Sequence, residues 1–279
     1  MQSSNPVFAR SEGFNGRRTS QSGVTYPGYD QPSAYGTGAP QGQETYAPAR
    51  PSGPMTIDTV VQKTAFTLGL TILVAAATWV LTGDPANQAE ASRLMMLWMF
   101  GAFAGLGLSL VISFKKSISP GLVLAFAVVE GIFVGAMSKY FEALWPGIVM
   151  NAVLGTLAAA AGTLAAYKFF NIQVSDKFRK FTIAAMFSFV GLALLSFVLR
   201  LFGMSDLGLF GFGGVGLVMS LIGLVIGVFM LILDFDFVER GVAAGLPEAE
   251  SWRAAFGLTV TLVWIYINML RVLAILRGD

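Results

Sequence analysis

A chain of 279 residues in which 55% are apolar and only 12% charged, with mean hydropathy +0.68, reads as an integral membrane protein rather than a soluble domain. The net charge of +2 is too small to argue for a nucleic-acid partner. Cysteine and histidine are both absent, which excludes disulfides, thiolate catalysis, thiolate metal sites, an HExxH metalloprotease and a serine–histidine hydrolase.

Residues 1–55 differ in kind from the rest, holding seven of the eleven prolines, eight glycines and four of the seven tyrosines. A stretch such as YPGYDQPSAYGTGAPQGQETYAP cannot bury a core, so the composition predicts a disordered polar tail. The tail opens without an apolar segment and does not read as a cleaved signal peptide. It serves as a solvated tether, and its regularly spaced tyrosines leave open a role in binding a membrane-protein partner.

Apolar stretches follow. Runs 64–83, 94–114, 143–167, 181–199 and 207–233 carry no charge, 117–138 is broken only by Glu130, and 254–276 only by Arg271. A helix crosses about 30 Å of hydrocarbon with roughly 20 apolar residues, and these runs are too long and continuous for barrel strands of about ten alternating residues. The expected fold is an all-α integral membrane bundle of seven transmembrane helices, over about 59–82, 94–114, 120–140, 146–168, 181–202, 209–233 and 254–276. Pro85, Pro120, Pro146 and Pro247 all fall in loops or at helix starts, where a missing N–H costs little.

With the N-terminus inside, inner segments hold thirteen Lys and Arg against five outside. That asymmetry predicts a cytoplasmic tail and an outer C-terminus in a bacterial inner membrane. A six-helix alternative with one re-entrant segment would return the C-terminus to the inside. Small residues at four-residue spacing, Gly101 with Gly105, Gly216 with Ser220 and Gly223 with Gly227, predict close helix packing within the bundle. GFGGVG at 211–216 fits a dinucleotide-binding pattern in letters only, because it opens a membrane helix instead of following a strand.

Ionisable groups inside membrane helices are costly and usually face a bundle interior or a water-filled path. Glu130 lies ten residues into the third helix, about 15 Å from its start. It can be a neutral carboxyl, a structural partner of Arg271, or a titratable group in an ion or proton path. Arg271 can pair inward or snorkel toward the outer headgroups. Asp234 and Asp236, in LILDFDFVERG, are read as terminating the sixth helix, pointing to different sides because they are two residues apart. With Glu239, Glu248 and Glu250 they could offer oxygen ligands to Ca²⁺, although a solvated acidic loop explains the three glutamates as well. No nucleophile–base arrangement, two-helix aspartyl dyad or GxxxxGK[ST] loop is present, so neither an enzyme nor an ATP-driven pump is expected, and no cofactor is implied.

Several stretches together resemble the Bax inhibitor-1 (transmembrane Bax inhibitor motif) family, in particular its bacterial branch with an extended N-terminus. They are SSNPVFAR at 3–10, TIDTVVQKT at 56–64, VVEGIFVGAMS at 128–138, LILDFDFVERGVAAGLPEAESWRAAFGL at 231–258 and LVWIYINMLRVLAILR at 262–277. The resemblance implies a seven-helix bundle with the last helix central, and a pH-sensitive calcium leak sensed by paired aspartates, one ending the sixth helix and one within the seventh. Asp234 matches the first. The seventh helix reads WIYINML, with Trp264, Ile265, Tyr266 and Asn268 where the second acid is expected, so either Asn268 keeps a hydrogen-bonding role or Glu130 completes the pair. The expected function is a passive Ca²⁺ or proton leak in which Asp234 gates, Glu130 is a midplane site, and Arg271 or Asn268 is a polar partner. A non-conducting regulator that binds a membrane protease or envelope complex, and a small-solute transporter, are the alternatives.

Overall fold

The computed structural model describes residues 53–83, 85, 87–203 and 208–278. These belong to the second of the chain's two compact units, Ala49–Asp279, so the expected disorder of the tail lies almost wholly outside the described residues. Among the described residues there are seven helices and no strand: α1 (Ile57–Leu81), α2 (Gln88–Phe114), α3 (Pro120–Leu144), α4 (Ile148–Phe169), α5 (Asp176–Leu201), α6 (Gly214–Ala243) and α7 (Glu250–Gly278). All seven are long and apolar enough to cross a membrane. The seven-helix reading therefore holds over the six-helix alternative.

Local chemistry sets the helix ends. Thr56 caps α1, accepting from the Thr59 amide at 3.1 Å while Thr59 Oγ1 accepts from the Thr56 amide at 3.0 Å. Asn87 and Ser175 cap α2 and α5 by accepting from the Glu90 and Phe178 amides, without a reciprocal bond, and Pro120 opens α3 where its lost N–H is not needed. The cap of α4 is Gly147, at φ 80°, with no side chain to offer. Glu142 of α3 supplies the acceptors instead, taking the Gly147 amide at 2.5 Å on Oε1 and the Val149 amide at 3.0 Å on Oε2.

Two expectations are corrected. The sixth helix does not end at Asp234 and Asp236; it runs on to Ala243. Arg240, one turn beyond Asp236, pairs with it at 2.8 Å, so the charges continue the helix instead of breaking it. The stop comes at Gly245, φ 63°, where the Leu246 amide donates to Gly241 O and the Gly245 amide to Val242 O. The second correction concerns Gly53–Met55, expected to share the disorder of the tail. They pair with the α6–α7 loop, and Met55 is only 1% exposed.

The end of the bundle at which α1, α3, α5 and α7 begin is the tail side. α7 is the core of the bundle. It packs against α1, α3, α4 and α6 and buries side chains along its whole length, from Ser251 to Ile275. α2 lies along α3, and α5 along α6. α1 and α3 run parallel and close, because Gly131 faces Thr71 and Val74 while Gly135 faces Ala75 and Thr78. One turn on, buried Lys139 donates to the carbonyls of Trp79 (2.8 Å) and Thr82, closing the far end of α1. Outward faces carry exposed Phe66, Leu73, Phe100, Leu154, Phe187 and Val218, as contact with lipid requires.

Candidate functional site

α6 and α7 cross antiparallel with small residues between them. Gly223 lies under Asn268, and Gly227 under Ile265 and Trp264. Trp264 Nε1 reaches past to donate to Gly223 O at 2.8 Å. Further toward the tail side, Gly257 and Thr261 stand one turn apart on α7 and leave room for Asp234. Its Oδ2 accepts from Thr261 Oγ1 at 2.6 Å, and its Oδ1 faces Gly257. No cation pairs with Asp234 among the described residues.

Asp234 lines two clefts at once. One, of about 540 Å³, lies toward α5 and includes Arg179, Met230, Asp236 and Arg240. The other, of about 300 Å³, lies toward α2 and includes Ile112, Ser113, Arg253 and Gly257. Asp234 is therefore shared by the linings of two clefts, each large enough for several waters. With nine residues of α6 beyond it, Asp234 sits about 14 Å from the tail-side end of its helix, not at that end.

Asp236, two residues on, has a different situation. It is 6% exposed and accepts from Arg179 of α5 and Arg240 of its own helix, both at 2.8 Å. Arg240 also donates to Val174 O at 3.0 Å, so the trio ties the start of α5 to α6. The three glutamates disperse: Glu239 accepts from Tyr167, Glu248 pairs with Lys63 and Glu250 with Arg253. Among the described residues no three acidic side chains converge, so a divalent cation beside Asp234 would keep most of its ligands as water.

Glu130 faces α2 at Gly105, the small residue that makes room for its carboxylate. It neither accepts a hydrogen bond nor forms an ion pair with the described residues. Its depth is about 15 Å from the start of α3, close to that of Asp234 in α6. Neither expected polar partner reaches either acid. Arg271 donates to Phe210 O at 2.8 Å and lies over the Phe210 ring, turned toward the far side as a snorkelling side chain would be. Asn268 is 5% exposed and donates to Trp264 O at 2.9 Å, about two turns of α7 beyond Thr261.

The partner that sequence reasoning missed is Thr261. Its signal lies in GLTVT, where Gly257 and Thr261 share a helix face, but a threonine in an apolar run draws no notice beside acids and arginines. Arg179 was counted only as a positive charge of a loop.

A family model described as Bax inhibitor 1 like matches residues 5–278, nearly the whole chain. The chain is also similar to an uncharacterized protein of Chlamydia muridarum (strain MoPn / Nigg), 29% identical over 152 residues. That match covers 53% of this chain and 61% of the relative.

Proposed function

Because the chain belongs to the Bax inhibitor 1 like family, we propose that it is a multi-pass protein of the bacterial inner membrane that conducts Ca²⁺ or protons passively, with Asp234 as the gating acid. The tail and the α6–α7 loop face the cytoplasm in this reading, on the strength of the Lys and Arg asymmetry. The observation that carries it is the Asp234 carboxylate, set between two clefts and held by a single neutral donor, Thr261. A carboxylate locked by arginines would be a structural element, as Asp236 is. One held by a hydroxyl can exchange that donor for a proton or a hydrated cation.

Ionised Asp234 takes a charge-assisted bond from Thr261 and draws α6 onto α7. Protonation weakens that bond and biases the α6–α7 crossing toward a second arrangement. Glu130, at similar depth between α2 and α3, gives the path a second acidic station. Thr261 takes the place of the absent seventh-helix acid as hydrogen-bond partner, though it carries no charge.

The test is Ca²⁺ and proton flux into liposomes holding the full chain, over roughly pH 6 to 8, for wild type, Asp234→Asn, Glu130→Gln and Thr261→Val. The expected result is a leak whose pH dependence disappears in Asp234→Asn and is altered in Thr261→Val. No flux above empty liposomes, from protein that retains its helices and unfolds cooperatively, would overturn the leak reading and leave a regulator that binds another membrane protein.

A further inference from the structure

The segment just before α1 closes a clasp on the α6–α7 loop. The Met55 amide donates to Leu246 O at 2.7 Å and the Glu248 amide to Gly53 O at 2.8 Å, making an antiparallel bridge between Pro54 and Pro247. In this pattern Pro54 and Pro247 are the non-hydrogen-bonded pair, so two prolines face each other at the one pairing where neither needs an N–H. The Met55 side chain fills a socket at Gly241, beside Leu246, and belongs to one buried cluster with Val60, Leu231, Ala254 and Ile265. Two further links follow along α1. Thr59 Oγ1 lies 2.9 Å from Ser251 Oγ, and Lys63 reaches the Glu248 carboxylate at 2.8 Å and carbonyl at 3.0 Å.

The end of α6 and the loop after it also build the cleft at Asp234: Gly241, Ala244 and Leu246 line the larger cleft, and Gly241 also meets Met55. We propose that Gly53–Met55 is a latch that holds the wall of the Asp234 cleft closed, and that its release widens the cleft. Its structural part stands on the contacts above; its consequence for flux rests on the leak reading.

The natural absence of cysteine makes the test clean. Met230 lines the larger cleft one turn beyond Asp234, so Met230→Cys in the full chain gives a single thiol there. In membrane vesicles with the tail side outward, its rate of labelling by a membrane-impermeant maleimide reports access to the cleft. Adding Met55→Ser should speed labelling at least about tenfold, the factor implied for an opening equilibrium by losing one buried methionine side chain. Adding Met55→Leu, which refills the socket, should leave the rate near that of Met230→Cys alone. Equal rates in all three proteins would overturn the latch.

A second measurement separates the latch from the leak. A non-hydrogen-bonded pair has a Cα separation of about 4.5 Å, within the range of about 4.4–6.8 Å that a disulfide spans. Pro54→Cys with Pro247→Cys should therefore cross-link under oxidant and suppress liposome flux, which reductant should restore. Flux that is the same oxidised and reduced, with the cross-link verified, would refute the latch while keeping the leak. Labelling that responds to Met55→Ser while no variant conducts would keep the latch and refute the leak.

Discussion

Consider Gly135→Ala at the contact of α1 with α3. A methyl group there would stand 2.5 Å from the Ala75 carbonyl oxygen, 2.9 Å from Ala75 Cα and 2.9 Å from Thr78 Cβ. The first two are backbone atoms, which cannot rotate aside, so the helices must separate. In isolation alanine favours a helix over glycine by about 1 kcal/mol, whereas overpacking a tight contact costs about 1–3 kcal/mol. Over most of that range the steric term wins, and the expected net loss is up to about 2 kcal/mol. Separation also withdraws Lys139 from the Trp79 and Thr82 carbonyls one turn away. Equilibrium unfolding in detergent micelles measures the change, with Gly107→Ala and Gly162→Ala as controls. Both control glycines are exposed in helices with nothing within 4 Å of an added methyl, so they should gain up to about 1 kcal/mol. If Gly135→Ala gains stability as the controls do, the argument that backbone closeness governs this interface is wrong.

Other outcomes follow from single contacts. Asp236→Asn should lower unfolding stability in micelles by about 1–3 kcal/mol, since it strips the charge from two arginine bonds, while Asp234→Asn should cost under about 1 kcal/mol because an amide oxygen still accepts from Thr261. That ordering separates the structural acid from the proposed functional one. Glu142→Ala removes both acceptors from the start of α4 and should cost about 1–2 kcal/mol by the same assay, with Glu142→Gln losing less. Lys139→Met should raise amide exchange in the last turn of α1 relative to its first turn, because the Trp79 and Thr82 carbonyls lose their donor.

Much of the fold was legible because lipid punishes charge, and the seven low-charge runs mark the seven helices almost by themselves. The same rule misled at the end of α6. It treats the first acids as the water boundary, whereas Asp236 is neutralised in place by Arg240 and by Arg179 from another helix. Arg240 at four residues' spacing and Gly245 were the local clues to a longer helix. Two of the three marked pairs meet other helices, Gly101 against Phe133 and Gly223 against Asn268, whereas Gly216 faces the backbone of Gly211 just before its own helix. Gly131 and Gly135, which bring two backbones together, drew no notice beside Glu130. Asp234 was legible as an acid at the end of an apolar run, but its donor was not, since helix rotation decides which α7 residue faces it. Met55 was hidden by its neighbours, a lone apolar residue after a proline-rich stretch whose socket lies almost 190 residues away in sequence.

Of the seven helices, α7 is the one whose surface the others share, and it is also the last to leave the ribosome. Until it is made, the inner faces of α1, α3, α4 and α6 have no common partner, and Asp234 has no Thr261. Biogenesis must therefore hold these four inner faces, with their threonines and an acid, without their centre until α7 inserts. A chain stalled before residue 250 would keep α1 and α2 on α3, and α5 on α6, but would lack the helix on which α1, α3, α4 and α6 converge.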